Sequence, residues 1–228
     1  MCRRYTLYSK LGDIEAHFSA EIRDKARESY VESNYNVAPG VTMPVILMSK
    51  TRETKVDALA WGLIPRDSKD DSTALDFINA PAEELEKKAE YKKPFQRKRC
   101  IIPANGFYEW KQLESVQLPF YIRLLNQDLF GMAGLFDKWT SPEGEDRYTF
   151  TIITTAANAL VQPLHTRMPV ILHPDNYHYW LDPMNSNAEE LHEILHPYPT
   201  EEMATYRVTN KVNSLENNGE ELTQPVMD

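Results

Sequence analysis

The chain has 228 residues and a formal net charge of -9, with 42% hydrophobic and 26% charged residues. These values suit a folded protein with a sizeable core and exclude a peptide hormone, a long solenoid and wholesale disorder. No run approaches the roughly 20 apolar residues of a membrane helix, and the start MCRRYTLYSK lacks the apolar core of a signal peptide. We therefore expect one cytoplasmic domain over residues 1–228, without membrane contact.

The negative charge is concentrated near the C-terminus. Residues 173–228 carry 11 acidic and 2 basic residues, whereas residues 87–99 carry seven basic residues and one acid. A phosphate backbone is bound chiefly through lysine and arginine, so the net charge alone argues against a nucleic-acid partner. Its uneven distribution removes that argument. The basic segment is equally typical of a solvated helix end, so it does not decide the function.

Helical patterns appear at both ends of the chain. Apolar residues at helical spacing predict an amphipathic helix over residues 13–31. Pro81, followed by glutamates and then lysines, predicts a second helix that ends before Pro94. Three shorter helices are predicted over residues 156–161, 176–181 and 187–195.

Short runs of β-branched and aromatic residues predict strands between these helices. The runs are PVILM near residue 44, ALAWGL near 58, RCIIPA near 99, FYIRLL near 120, LFGMAGLF near 129 and YTFTIITT near 148. The helices do not alternate with these strands regularly enough for parallel βαβ units. The sequence therefore predicts an α+β fold of curved, barrel-like antiparallel sheets with peripheral helices.

Cys2 carries the most distinctive chemistry of the chain. If Met1 is removed, Cys2 presents an α-amine and a thiol, whose ordinary pKa values of about 8 and 8.5 leave both reactive forms accessible near neutrality. The amine can condense with an aldehyde to a Schiff base, and the thiolate can then close a five-membered thiazolidine. The alternative is that Met1 stays and Cys2 packs as a small hydrophobic residue.

Three other polar residues stand in strand-like surroundings. Aromatic neighbours enclose Glu109 in GFYEWK, where desolvation would raise its pKa and suit it to acid–base catalysis, unless it is a salt-bridged surface residue. His165 and Arg167 are two positions apart, so an extended chain points both side chains the same way. Asn79 either contributes a polar group to a site or caps a helix. Cys100 is expected to be buried and without a catalytic role.

Six motifs follow one another along the chain. They are MCRRY (1–5), YNVAPG (35–40), WGLIP (61–65), INA (78–80), GFYEWK (106–111) and HTRMP (165–169). Together they resemble the SOS response-associated peptidase family, whose members shield abasic sites in DNA. The C-terminal segment through GEEL and PV is also similar, so the resemblance spans nearly the whole chain and implies a clam-like arrangement of curved antiparallel sheets.

The resemblance also implies a mechanism. Met1 would be removed autoproteolytically, and Cys2 would then bond covalently to the ring-opened deoxyribose of an abasic site. Asn79 would orient the Cys2 amine and the sugar, and Glu109 would shuttle protons and could reverse the adduct as a lyase. His165 would help to open the sugar ring and stabilise the imine.

A second set of residues falls at positions resembling those that line the family's single-strand groove. These residues are Arg4, Asn36, Pro39, Trp61, Thr154 and Arg167. Arginine suits phosphate through bidentate bonds, and Trp61 offers either a base-stacking surface or a core side chain. The expected partner is single-stranded DNA containing abasic sites, bound by a monomer that joins the nucleoid. No metal or small-molecule cofactor is expected, because the histidines show no ligand pairing with cysteine or carboxylate.

The chain also departs from the family pattern. Pro81 stands where arginine is usual, so one expected phosphate contact is missing. Arg3 replaces a glycine after the cysteine and can compensate in part, although its side chain can also crowd the nucleophile. Asp67 lies in a segment where many members carry tryptophan, and its negative charge repels phosphate. These departures predict weaker DNA binding or a differently shaped groove.

Two other functions stay open from the sequence. One is a cysteine peptidase that acts on other proteins, with Cys2 as nucleophile and His165 or Glu109 as its base. The other is a module that binds single-stranded DNA without a covalent bond, in which Cys2 is incidental.

Overall fold

The computed structural model describes residues 2–30 and 33–226. Within these residues the chain forms 14 strands and five α-helices, joined by loops and short 3-10 turns. The strands are β1 (Tyr5–Leu7), β2 (Glu21–Ile22), β3 (Asn34–Val37), β4 (Thr42–Met48), β5 (Thr54–Trp61), β6 (Asn79–Pro81), β7 (Arg99–Ala104), β8 (Gly106–Leu113), β9 (Val116–Leu124), β10 (Phe130–Thr140), β11 (Asp146–Ala156), β12 (Arg167–Pro169), β13 (Ile171–Leu172) and β14 (Met203–Arg207). The helices are α1 (Leu11–Phe18), α2 (Asp24–Ser29), α3 (Ala89–Arg97), α4 (Tyr177–Leu181) and α5 (Ala188–Glu193). No helix in these ranges is long and apolar enough to span a membrane.

Five strands close into a barrel. β11, β10, β7, β4 and β5 pair antiparallel in that order, and a parallel contact between β5 and β11 completes the ring. Buried aliphatic and aromatic side chains of these strands form the main core. Closure leaves the ring without an unpaired edge, which stabilises a sheet of this length. The predicted α+β, barrel-like fold is confirmed, and the six predicted strands are β4, β5, β7, β9, β10 and β11.

A second, antiparallel sheet packs beside the barrel in the order β14-β9-β8-β1-β3. Tyr5 of β1 lies opposite Phe107 of β8. Continuing this register by two residues places Arg3 opposite Glu109. Gly106 allows the close strand approach, because a Cβ atom there would lie 2.3 Å from the Tyr121 ring. The sheet thereby carries the chain start to Glu109.

The N-terminal helix differs from the prediction. A single helix over residues 13–31 was wrong, because α1 ends where Ser19 adopts a left-handed conformation with φ of 48°. The chain then forms β2, in which Ile22 pairs with Val56 of β5, before α2 begins. Val31, at the end of the predicted helix, lies outside the described residues. Pairing with a distant strand therefore overrides the local helical spacing.

The helix predicted to begin at Pro81 is also wrong. Pro81 lies in β6, and Pro94 lies inside α3 instead of beyond its end. Pro94 removes one backbone hydrogen bond from the helix, and the burial of Tyr91, Pro94 and Phe95 against the core offsets this loss.

Of the three shorter predicted helices, one is wrong and two are confirmed. Residues 156–161 form a strand end and a turn, so that helix is wrong. The other two predictions are confirmed as α4 and α5. The Asn187 side chain caps α5 by accepting a hydrogen bond from the Glu189 N–H.

Candidate active site

Asn79 connects β6 to the start of the chain. Its Nδ2 donates to the Cys2 carbonyl oxygen at 2.8 Å. The backbone carbonyl oxygen of Asn79 accepts a hydrogen bond from the Tyr91 hydroxyl at 3.3 Å. β6 pairs parallel with β11, which places Asn79 opposite Ile152. Asn79 is therefore a strand residue and not a helix cap. Within the described part of the chain, its buried Oδ1 has no hydrogen-bond partner and can accept one from a reactant.

Glu109 lies on β8 and is 3% exposed. Burial raises its pKa to about 7, against the opposing effects of the Arg3 charge and the Trp110 backbone N–H. Both its protonated and its ionised forms are therefore populated near neutral pH. This is the property that a group needs to give and accept protons in the same reaction.

Cys2 is fully buried just before β1. Burial, and then the negative charge of Glu109, raises the pKa of its thiol far above the ordinary value. With Met1 attached, the thiol is therefore held in its protonated form, and the expectation of a ready thiolate at a free N-terminal Cys2 stays a prediction. The thiol donates weakly to the Arg4 carbonyl oxygen at 3.7 Å, so it needs a base before it can attack. The predicted removal of Met1 concerns a residue outside the described ones.

His165 lies on the loop that leads into β12. Its Nδ1 lies 2.9 Å from the backbone nitrogen of Arg167, from which it accepts a hydrogen bond, and 3.3 Å from the Arg167 carbonyl oxygen; the shorter contact corresponds to the tautomer with the proton on Nε2. Burial lowers its pKa, and the positive charges of Arg3 and Arg167 lower it further. His165 is therefore a neutral hydrogen-bond donor at physiological pH. The Arg3 charge acts on both His165 and Glu109, so the three side chains share one electrostatic environment.

A groove of about 430 Å³ opens next to the residues that follow Cys2. Its lining includes Arg3, Arg4, Pro39 and Trp110, and none of the described residues that line it is acidic. Arg4 is held by Asn36, whose Oδ1 accepts from the guanidinium at 2.7 Å. The groove is therefore positively charged and partly apolar, as a strand of nucleic acid requires.

Asn36 is buried and anchors the C-terminal segment. Its Nδ2 donates to three carbonyl oxygens, those of Val212, Ser214 and Asn217, at 3.0 to 3.2 Å. Asn36 thus supports Arg4 and does not itself face the groove.

Trp61 and Trp110 have different positions relative to the groove. Trp61 is 1% exposed, donates from Nε1 to the Ile78 carbonyl and packs edge-on against Tyr5, so the core alternative applies to it. Trp110 is half-buried, lines the groove and donates from Nε1 to Asn213. Reasoning from sequence missed Trp110. The available signal was the alternation of side chains along β8: a residue next to buried Glu109 points to the opposite face of the sheet, and Trp110 is such a residue.

Arg167 and Thr154 meet where β12 pairs with β11. The Arg167 guanidinium donates to both carboxylate oxygens of Glu83, at 2.8 and 2.9 Å, and to the Thr154 carbonyl at 2.6 Å. Thr154 is buried. The structure thus brings these two predicted residues together, and it adds Glu83, which no sequence pattern indicated.

Comparisons with known proteins establish the relationship. Residues 1–215 match the family model described as SOS response associated peptidase, SRAP. The chain belongs to the SRAP family. It is 42% identical to abasic site processing protein YoqW of Bacillus subtilis (strain 168), over 98% of this chain and 99% of YoqW. It is 32% identical to abasic site processing protein HMCES of Gallus gallus, over 88% of this chain and 68% of HMCES.

A solved structure supports the same SRAP fold. The crystal structure of a protein from Bacteroides thetaiotaomicron matches with a TM-score of 0.90 and 29% sequence identity, over 99% of this chain and 100% of that one. The family and the fold expected from the ordered motifs are therefore both confirmed.

Proposed function

We propose that this protein captures ring-opened abasic sites in single-stranded DNA by a covalent bond to Cys2, once removal of Met1 has made Cys2 the N-terminus. The observation that carries the proposal is the convergence of Asn79 and of Glu109, with a pKa of about 7, on a buried cysteine beside a positively charged groove. The names of the relatives YoqW and HMCES support a role in processing abasic sites.

The first chemical step forms an imine. Removal of Met1 changes the Cys2 nitrogen from an amide to an amine, and this nitrogen adds to the C1′ aldehyde carbon of the opened sugar. A C–N bond forms, the aldehyde oxygen gains a proton, and the hydroxyl then leaves as water. The Nε2–H of His165 is suited to bind the aldehyde oxygen, and protonated Glu109 is suited to protonate the leaving hydroxyl.

The second step closes the ring. The Cys2 sulfur attacks the imine carbon, a C–S bond forms, and the imine nitrogen takes up a proton to become an amine. Because burial holds the thiol in its protonated form, ionised Glu109 is needed to accept the thiol proton. The net change is the loss of one water from aldehyde and aminothiol. One carboxyl group with a pKa of about 7 serves as acid in the first step and as base in the second.

The groove determines where the strand lies. We assign phosphate contacts to Arg3 and Arg4, and base contacts to Pro39 and Trp110, because these side chains line the groove together. Trp61 supports the site from the core. Arg167 and Thr154 lie at a separate position, where a phosphate reaches Arg167 only after it displaces Glu83.

An oligonucleotide with one abasic site tests the proposal. We expect an adduct that survives denaturation, with the combined mass of DNA and protein minus one water and minus Met1. Cys2→Ala abolishes this adduct. Cys100→Ala is the matched control, because Cys100 is the other free cysteine of the described residues and lies buried in β7. No adduct from the wild type, or an undiminished adduct from Cys2→Ala, would refute the proposal.

The two alternative functions predict other outcomes of related assays. A cysteine peptidase cleaves an unrelated polypeptide in trans, and a broad peptide library tests this directly. A non-covalent module binds ordinary and abasic strands equally well, and Cys2→Ala does not change that binding.

A further inference from the structure

The Glu83 carboxylate fills the binding fork of Arg167. Both guanidinium nitrogens Nη1 and Nη2 donate to it, at 2.8 and 2.9 Å. Two parallel bonds of this kind are also the geometry in which arginine binds the two free oxygens of a phosphodiester. Under the proposed function, on which this inference rests, Arg167 lies outside the groove but beside the catalytic His165, whose Nδ1 accepts a hydrogen bond from the Arg167 backbone N–H at 2.9 Å. The carboxylate therefore stands where a phosphate would bind.

Arg167 is held in place independently of Glu83. Its Nη2 also donates to the Thr154 carbonyl oxygen at 2.6 Å, and Thr154 is fully buried in the barrel. The Arg167 backbone belongs to β12 and pairs with Ala156 of β11. The guanidinium therefore keeps its position when its carboxylate partner leaves.

Glu83 is held much more weakly. It lies on the three-residue 3-10 turn Ala82–Glu84, and its side chain is 54% exposed. Among residues 2–30 and 33–226, Arg167 is the one other residue that hydrogen-bonds its carboxylate, although the charge of Lys87 also acts on it. A carboxylate that is half-exposed to solvent gains less from an ion pair than a buried one, so a phosphate that offers the guanidinium the same two bonds can displace it.

We propose that Glu83 is an internal competitor for DNA phosphate. In the unbound protein it neutralises Arg167, and a bound strand displaces it and takes over the same guanidinium. The pair thus limits the affinity for DNA in general and makes Arg167 available only to a strand that is already held in the groove.

Binding of an ordinary fluorescein-labelled single strand, followed by anisotropy at low salt, tests the competition. We expect Glu83→Gln to tighten binding about two- to fivefold, the range that corresponds to the loss of one exposed ion pair. Arg167→Gln weakens binding, and adding Glu83→Gln to Arg167→Gln gives no more than the small gain expected from the loss of one negative charge. Glu84→Gln is the matched control, since it removes the same charge from the same turn but its partner is Lys88, at 2.7 Å. It should produce a smaller gain than Glu83→Gln.

Other results would contradict the proposal that Glu83 competes with DNA phosphate. Equal gains from Glu83→Gln and Glu84→Gln would mean that only net charge matters. Weaker binding by Glu83→Gln would mean that the pair braces the loop of His165. The covalent assay separates this inference from the proposed function: a wild-type adduct without the gain rejects the competitor alone, whereas the gain without an adduct rejects the capture chemistry alone. A wild type that binds no single strand rejects both.

Discussion

Arg99 and Glu109 are two buried charged side chains in contrasting regions. Arg99, on β7, is 2% exposed, and its guanidinium stacks over Trp180. Its nitrogens donate to five carbonyl oxygens, those of Phe95, Gln96, Trp180, Asp182 and Asn185. Burial lowers its pKa to about 10, so it stays charged at neutral pH. The hydrogen-bonding edge of this guanidinium is occupied by carbonyl acceptors and one of its faces by the Trp180 ring, and its role is to join α3 and α4 to the barrel.

Glu109 is equally deep, but its surroundings act on its protonation. Its pKa of about 7 means that a small change nearby alters its charge. The comparison teaches that burial of a charged residue does not by itself mark a functional site. A buried charge that is fully hydrogen-bonded is structural, whereas one whose pKa lies near neutral pH is suited to proton transfer.

Replacing Arg99 gives the largest expected effect and tests the structural half of this comparison. Arg99→Ala should lower the free energy of unfolding by at least about 4 kcal/mol, because several buried carbonyl groups lose their donor. Urea denaturation measures the change. Arg97→Ala, an exposed neighbour in the same basic segment, should change it by less than about 0.5 kcal/mol. A loss below about 1 kcal/mol for Arg99→Ala would contradict the structural role.

Replacing Glu109 tests the other half through kinetics. Glu109→Gln should slow adduct formation at pH 7 by at least about 100-fold, because glutamine can neither accept the thiol proton nor protonate a leaving hydroxyl. Gel-based time courses with an abasic strand measure the rate. Binding of an ordinary strand serves as the control and should change little. Retention of most of the wild-type rate would remove Glu109 from the mechanism.

The same substitution should change how stability depends on pH. The pKa of Glu109 is raised from an ordinary 4.5 to about 7, so its contribution to stability is fully present below pH 4.5 and is lost as the pH rises through 7. Relative to wild type, Glu109→Gln should therefore be about 3 kcal/mol more stable at pH 8 than at pH 4. Urea denaturation at both pH values measures this difference. Identical pH profiles for the two proteins would show that ionisation of Glu109 does not destabilise the folded protein.

The smallest expected effect concerns Arg3, whose charge partly opposes the raised pKa of Glu109. Its positive charge lowers the pKa of both Glu109 and His165. Arg3→Gly should therefore shift the midpoint of the pH–rate profile for adduct formation to higher pH and weaken strand binding. Arg3→Lys keeps the charge and is the matched control. An unchanged midpoint in Arg3→Gly would show that solvent screens this charge completely.

Sequence reasoning found the long strands because each carries its own signal. The runs that became β7, β10 and β11 are rich in β-branched and aromatic residues and are buried along most of their length. The N-terminal helix failed because its end depends on a partner far along the chain, the pairing of Ile22 with Val56. Local spacing contains no information about that pairing.

The candidate site shows the same division. Ordered motifs indicated Cys2, Asn79 and Glu109, and the described structure places the side chains of Asn79 and Glu109 around Cys2. The raised pKa of the Cys2 thiol was not predictable, because it depends on burial that the whole fold creates. Glu83 was not predictable either, since its partner Arg167 lies 84 positions later. Contacts of this kind follow from tertiary structure and not from any pattern in one segment.

β11 pairs with four neighbours, β10, β12, β5 and β6. Because of these pairings, the contacts around Cys2 can form only after β11 and β12 have been synthesised. The ribosome releases Cys2 almost first, but the strand that docks Asn79 ends at Ala156, and the loop of His165 is fixed only when β12 follows. Contacts between such distant segments form slowly. Cys2 is therefore made early and enclosed late, after nearly three quarters of the chain has been synthesised.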